Sequence, residues 1–196
     1  MRPLAEEIFL QEIARQILGA RRAINRLRKS INDRNGEVAY DEAVYFLNHA
    51  AVVSKILIPL RSAGSQAILR GQYLRKILGI DESEPALDRK LRNHLEHIDE
   101  RLDEWVLQNK SGIFIDGGLF PFLPDLLFEN AKSIRHIDPK SCFYTFLGEG
   151  FNINAIDASL ERIWNAAVAR GKVLKVPGGG RDFLREQSKL PPDDVE

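Results

Sequence analysis

The sequence predicts a mainly α fold: an antiparallel four-helix bundle with a small C-terminal appendage of a β-hairpin and a helix. Three observations carry this. Apolar residues recur at three- and four-residue spacing through most of residues 1–110. Short connections rich in Gly, Pro, Asn and Asp separate the periodic stretches, and short connections return consecutive helices antiparallel. After Lys110 the helical period gives way to short strand-like runs with glycine turns. The expected organisation is a bundle over 1–110, a hairpin and helix packed on it over 111–176, and a disordered tail over 177–196.

The first helix opens at Pro3, where proline suits a first turn, and Glu6 and Glu7 favour the positive end of its dipole. Ile8, Ile13, Ile17, Leu18, Ile24, Leu27 and Ile31 carry its period to about Ser30. Arg22, Arg26 and Lys29 share a face of its later half, either as solvated surface or as a phosphate-contacting stripe. Asn32-Asp33-Arg34-Asn35-Gly36 is a turn by composition.

A second helix runs from about Val38 or Tyr40 to Ile58, left at Pro59, with His49 as a partly buried structural histidine. A third covers about Ser65 to Leu78 and stops at Gly79. The fourth runs from about Pro85 to Gln108, after the acidic connection Asp81-Glu82-Ser83-Glu84. Gly112 to Gly118 reads as a short strand ending in a turn, and Phe120 to Phe128 as an apolar loop or one helical turn over the bundle. A hairpin follows over 143–154, turning at Gly148-Glu149-Gly150. Asn154 is the expected cap of a last helix from Ala155 to Arg170, stopped by Gly171.

Bulk properties bound the function. The 196 residues suit one helical domain with a smaller appendage, and 44% hydrophobic content supplies a core. The 28 basic residues balance 28 acidic ones, so no global basic field draws nucleic acid to the whole surface. Cys142 is the single cysteine, which excludes an intrachain disulfide and suits a reducing compartment. Beside a hairpin it reads as a packing residue. No apolar run is long enough to span a bilayer, and the N-terminus lacks the form of a signal peptide. The expectation is a soluble cytoplasmic protein without membrane contact. Nucleophile-elbow, zincin, dinucleotide and phosphate-loop signatures are all absent, and no cofactor is implied.

What remains is the outer face of the fourth helix. Leu91, Leu95, Ile98, Leu102 and Trp105 form its apolar seam. At about 100° per residue, Asn93, His97, Glu100 and Glu104 fall on nearly the opposite side, with Arg92 and Glu96 on a flank. A metal held by His94, His97, Glu100 or Asp103 is conceivable, but few ligands share one face. Arg92-Asn93, three further residues and His97 resemble the Arg-x(4–6)-His motif of the HEPN superfamily, the higher eukaryotes and prokaryotes nucleotide-binding domain. In that family the residue after Arg is commonly Asn, Asp or His, and the motif lies on a late helix of a helical bundle. The resemblance covers roughly residues 1–110. It implies catalytic roles for Arg92, Asn93 and His97, a homodimer through the fourth helix, and an RNA substrate.

The chemistry can be argued independently. Cleaving RNA without a metal needs a base for the 2′-hydroxyl proton, an acid for the leaving oxygen, and positive charge near the phosphorane-like transition state. Imidazole can serve the first two roles. A guanidinium offers forked, permanently charged donors for the third. Arg92 and His97 diverge by about 140° on a straight helix, so one copy makes a thin site and a two-fold axis would pool two. Against a nuclease stand Glu96, Asp99, Glu100, Asp103 and Glu104, which repel phosphate. The alternatives are a non-catalytic HEPN-like binding module, of toxin–antitoxin type with an antitoxin or other protein partner, and an unrelated helical interaction protein.

Overall fold

In the computed structural model residues 3–120 and 131–171 are described, the side chains of Arg92, His94, Leu95 and Glu96 excepted. Helix α1 (Pro3–Asn32) is the axis of the molecule. Its buried side carries Leu10, Ile13, Ile17, Ile24 and Leu27, with the small residues Gly19, Ala20 and Ala23 between them. Small residues let a neighbour approach closely. A Cβ at Gly19 would lie 2.4 Å from the His49 ring of α2 (Gly36–Leu57). Arg26 binds Glu42 while Gln16 meets His49, so α1 and α2 run antiparallel. Asn35 starts α2, its side chain accepting from the Val38 N–H at 3.3 Å. Helix α3 (Ser65–Leu78) matches its predicted span and ends in the left-handed residue Gly79, φ 63°.

The expected fourth helix is two helices. Pro85–Leu87 form a 3₁₀ turn, Asp88 caps α4 (Arg89–Glu96), and α5 (Ile98–Gln108) starts anew. The break is at His97, with φ −122° and ψ 39°. One residue outside helical geometry changes the phase of every later side chain. The predicted seam therefore does not carry through. Leu91 is buried, but Ile98 is 41% exposed and Leu102 is only partly buried.

The C-terminal part also differs from expectation. Strands β1 (Ile113–Leu119), β2 (Ala131–Asp138), β3 (Phe143–Phe146) and β4 (Glu149–Asn152) form one mixed sheet in that order. The predicted hairpin, β3–β4, is half of this sheet and not a separate unit. Strand β1 pairs parallel with β2, and the other pairs are antiparallel. Strand β2 escaped sequence reading because Lys132, Ser133, Arg135 and His136 interrupt its apolar pattern. Ser133 and His136 are nevertheless buried. The hairpin turns at Leu147 and Gly148, φ 50° and 81°, and not at Gly148-Glu149-Gly150. Two residues of positive φ match the twist of the flanking strands.

Asn152, not Asn154, caps α6 (Ile153–Ala169), its Oδ1 accepting from the Ala155 N–H at 3.0 Å. Asn154 instead donates to the Ser141 carbonyl. Arg21 pairs with Glu161, Arg28 with Asp157, and Arg170 with Glu6, so α6 lies antiparallel to α1. Ile156, Leu160, Ile163 and Ala167 of α6 join the same buried cluster as α1, α2, Leu87, Tyr144 and Phe146. The molecule is thus mainly helical, with a small four-stranded mixed sheet sharing its core. The expected apolar loop lies outside the described residues except for Phe120, and so does the expected tail.

Candidate functional site

Asn93 and His97 stand one helical turn apart, and both are exposed. The His97 N–H donates to the Asn93 carbonyl at 3.2 Å, and the Arg101 N–H to the His97 carbonyl at 3.1 Å. His97 is at once the last cap of α4 and the residue before α5. The first N–H groups of α5 have no partner within their own helix. The imidazole Nδ1 lies 3.4 Å from a Glu100 carboxylate oxygen. The tautomer with its Nδ1–H on the Glu100 side would leave Nε2 as the nitrogen able to accept a proton. Arg92 belongs to α4 one residue before Asn93, but its side chain lies outside those described. Asp88 accepts from the Lys90 N–H at 2.9 Å as the helix cap. Asp99, Glu100, Asp103 and Glu104 are exposed around the motif, so its surroundings are acidic.

On the basic face of α1, Arg26 is held in an ion pair. Arg26 makes two hydrogen bonds, 2.6 and 2.9 Å, to buried Glu42. Those bonds hold its guanidinium pKa above the ordinary value. Arg22 and Lys29 stay exposed. His49 is partly buried and its Nδ1 lies 2.7 Å from Gln16 Oε1, which suits the structural role expected for it. Cys142 is buried, and burial pushes its thiol pKa up, away from nucleophilic thiolate. Among the described residues no group of three His, Cys, Asp or Glu side chains could hold a metal ion. No helix among them is long and apolar enough to cross a membrane.

A second feature was missed at the sequence level. A groove of about 670 Å³ opens between α2, the sheet and the start of α5. One wall is the α2 stripe Glu37, Asp41 and Tyr45, whose spacing of four places all three on one side. The opposite wall is a ladder across three strands: Asp116 pairs in register with Arg135, and Arg135 with Phe146. The Arg135 guanidinium donates to Asp116 at 2.6 Å and lies 5.3 Å from the centre of the Phe146 ring. Tyr40 donates to the Gly118 carbonyl at 2.5 Å and ties α2 to β1. Burial raises its pKa, and burial pushes the Tyr144 phenol up to about 12, so both stay neutral hydrogen-bonding groups. Ile98, next in sequence to His97, completes the lining. The α2 stripe was readable from spacing, but the facing ladder depends on a strand pairing that spacing does not reveal.

Comparison with protein-family models, with curated proteins and with solved structures finds no match.

Proposed function

We propose that the chain is a HEPN-like, metal-independent endoribonuclease whose Arg92, Asn93 and His97 act across a homodimer formed through α4. The supporting observation is the exposure of Asn93 and His97, one turn apart, at the interruption between α4 and α5. In this reading the free Nε2 of His97 takes the proton of an RNA 2′-hydroxyl. The 2′-oxygen then attacks the adjacent phosphorus, forming a 2′,3′-cyclic phosphate. The P–O5′ bond breaks, and the leaving 5′-oxygen takes a proton from the imidazolium of the partner copy. Glu100 orients the ring. Arg92 of either copy stabilises the charge on the non-bridging oxygens, and Asn93 positions the phosphate. The two-fold axis supplies the second histidine that acid and base catalysis together require.

The test is cleavage of a labelled single-stranded RNA by purified protein in excess EDTA. The expected outcome is cyclic-phosphate and 5′-hydroxyl ends, with activity lost in Arg92→Ala and in His97→Ala while the circular dichroism spectrum is unchanged. Exposed Asp99, Glu100, Asp103 and Glu104 favour a second reading, a non-catalytic HEPN-like binding module of toxin–antitoxin type. That reading predicts a stable dimer or hetero-complex and no RNA turnover under the same conditions.

A further inference from the structure

We propose that the groove between α2 and the sheet is a docking site for a basic, partly apolar peptide segment of a partner protein. It would hold an arginine side chain against Tyr45 and between the carboxylates of Glu37 and Asp41. The inference uses none of Arg92, Asn93 and His97 and stands apart from the nuclease reading.

The molecule already contains the pairing in question. Arg135 lies over Phe146 and donates to Asp116 on one wall of the groove. That is one guanidinium, one aromatic face and one carboxylate. Among the described residues, Glu37 and Asp41 on the other wall form no ion pair and no guanidinium stacks on Tyr45, whose cationic neighbour Arg26 is bound to Glu42. Tyr45 is 53% exposed, and Asp41 and Glu37 lie one and two turns before it on the same side of α2. Among the described residues the groove's lining therefore holds three carboxylates, Glu37, Asp41 and Asp116, against one guanidinium, that of Arg135. Its field attracts a cation and repels phosphate. Guanidinium is favoured over ammonium because its planar fork suits both aromatic face and carboxylate.

The remaining lining selects what flanks the cation. Val44 and Ile98 present apolar surface. At about 670 Å³ the groove has room for an arginine together with apolar neighbours, more than a small free cation would fill. These features describe a segment that alternates basic and apolar side chains. An RNA strand carries its charge with the wrong sign for this surface.

The test uses the full chain and a short fluorescein-labelled peptide alternating leucine and arginine, followed by fluorescence anisotropy. A peptide with citrulline for arginine keeps the shape and removes the charge. A labelled oligouridine is the nucleic-acid arm. The arginine peptide should bind, more weakly as salt rises. The citrulline peptide, the Glu37→Gln/Asp41→Asn double variant and the Tyr45→Ala variant should each raise Kd, by roughly three- to tenfold. All three substituted residues are exposed, and unchanged circular dichroism would confirm the fold. No binding of the arginine peptide overturns the proposal, as does binding that neither citrulline nor the variants weaken. So does oligouridine binding that Tyr45→Ala abolishes while peptide binding persists. Loss of RNA cleavage in His97→Ala with peptide binding intact would separate the two sites.

Discussion

His49 is held between α1 and α2 by the Gln16 side chain and by the close approach of Gly19. Burial, with Arg22 and Arg26 nearby, lowers its pKa below the ordinary 6.5. The unfolded chain therefore binds the proton more readily than the folded one. The stability contributed by neutral His49 is complete above about pH 6.5 and is lost as pH falls through that value toward the lower folded pKa. Urea melts at pH 7.5 and pH 5.5 should show wild type losing more stability on acidification than His49→Gln. His97 is the same residue type with a different task. It faces solvent beside Glu100, so His97→Ala should change unfolding free energy by no more than about 0.5 kcal/mol. If the ring is the acid and base proposed, cleavage should fall by about 10²–10⁴-fold. A variant that unfolds would instead make His97 structural.

At the scale of elements, the close contacts are made by glycines and the long-range ties by buried charges. Gly71 of α3 packs on the end of α2, where an added Cβ would lie 2.5 Å from Pro59 Cδ and 2.7 Å from the Leu57 carbonyl oxygen. A proline ring and a backbone carbonyl cannot turn aside as a long side chain can. Gly71→Ala should therefore destabilise by about 1–3 kcal/mol despite alanine's better helix propensity, measured by chemical denaturation. Glu6 of α1, 4% exposed, accepts from Tyr73 of α3 at 2.6 Å and from Arg170 beyond α6 at 3.3 Å. One buried carboxylate thus joins three helices, and its partners keep it from being a bare charge in the core. The α4–α5 break has no such visible cause: no proline or glycine stands near His97.

For the whole molecule, the central helix α1 is flanked antiparallel by α2 and α6, and the sheet closes against α2 and α6 through Tyr144, Phe146 and Phe151. This arrangement leaves Asn93, His97 and much of α5 exposed. Exposure is what a site completed by a second copy requires. If that second copy supplies the acid histidine, His97→Ala should be dominant. Wild-type and His97→Ala proteins mixed one to one and allowed to exchange subunits would form half mixed dimers, each with a single histidine and inactive, so about one quarter of the cleavage of the same amount of all-wild-type protein is expected. Retention of about half, with dimers demonstrated by sedimentation, would place each working set within one chain.

The sequence by itself determined the helices whose periodicity and punctuation agree. Pro3, Asn35, Pro59, Gly79 and Gly171 mark ends that local sterics impose, since φ preferences and missing N–H groups act within a few residues. It also exposed the Arg92, Asn93 and His97 motif, because that reading needs only residue types at a spacing. The tertiary structure alone decided the interruption at His97, the place of β2 beside β1, and the alignment of the α2 stripe with Asp116, Arg135 and Phe146. The strand placement and the alignment of the stripe depend on contacts between residues far apart in the chain. Strand β2 keeps polar residues in buried positions because the sheet and its neighbours supply partners such as the Phe120 carbonyl, 2.8 Å from His136 Nε2. A local pattern holds no record of such partners, since their free energy exists only once the chain has closed upon itself.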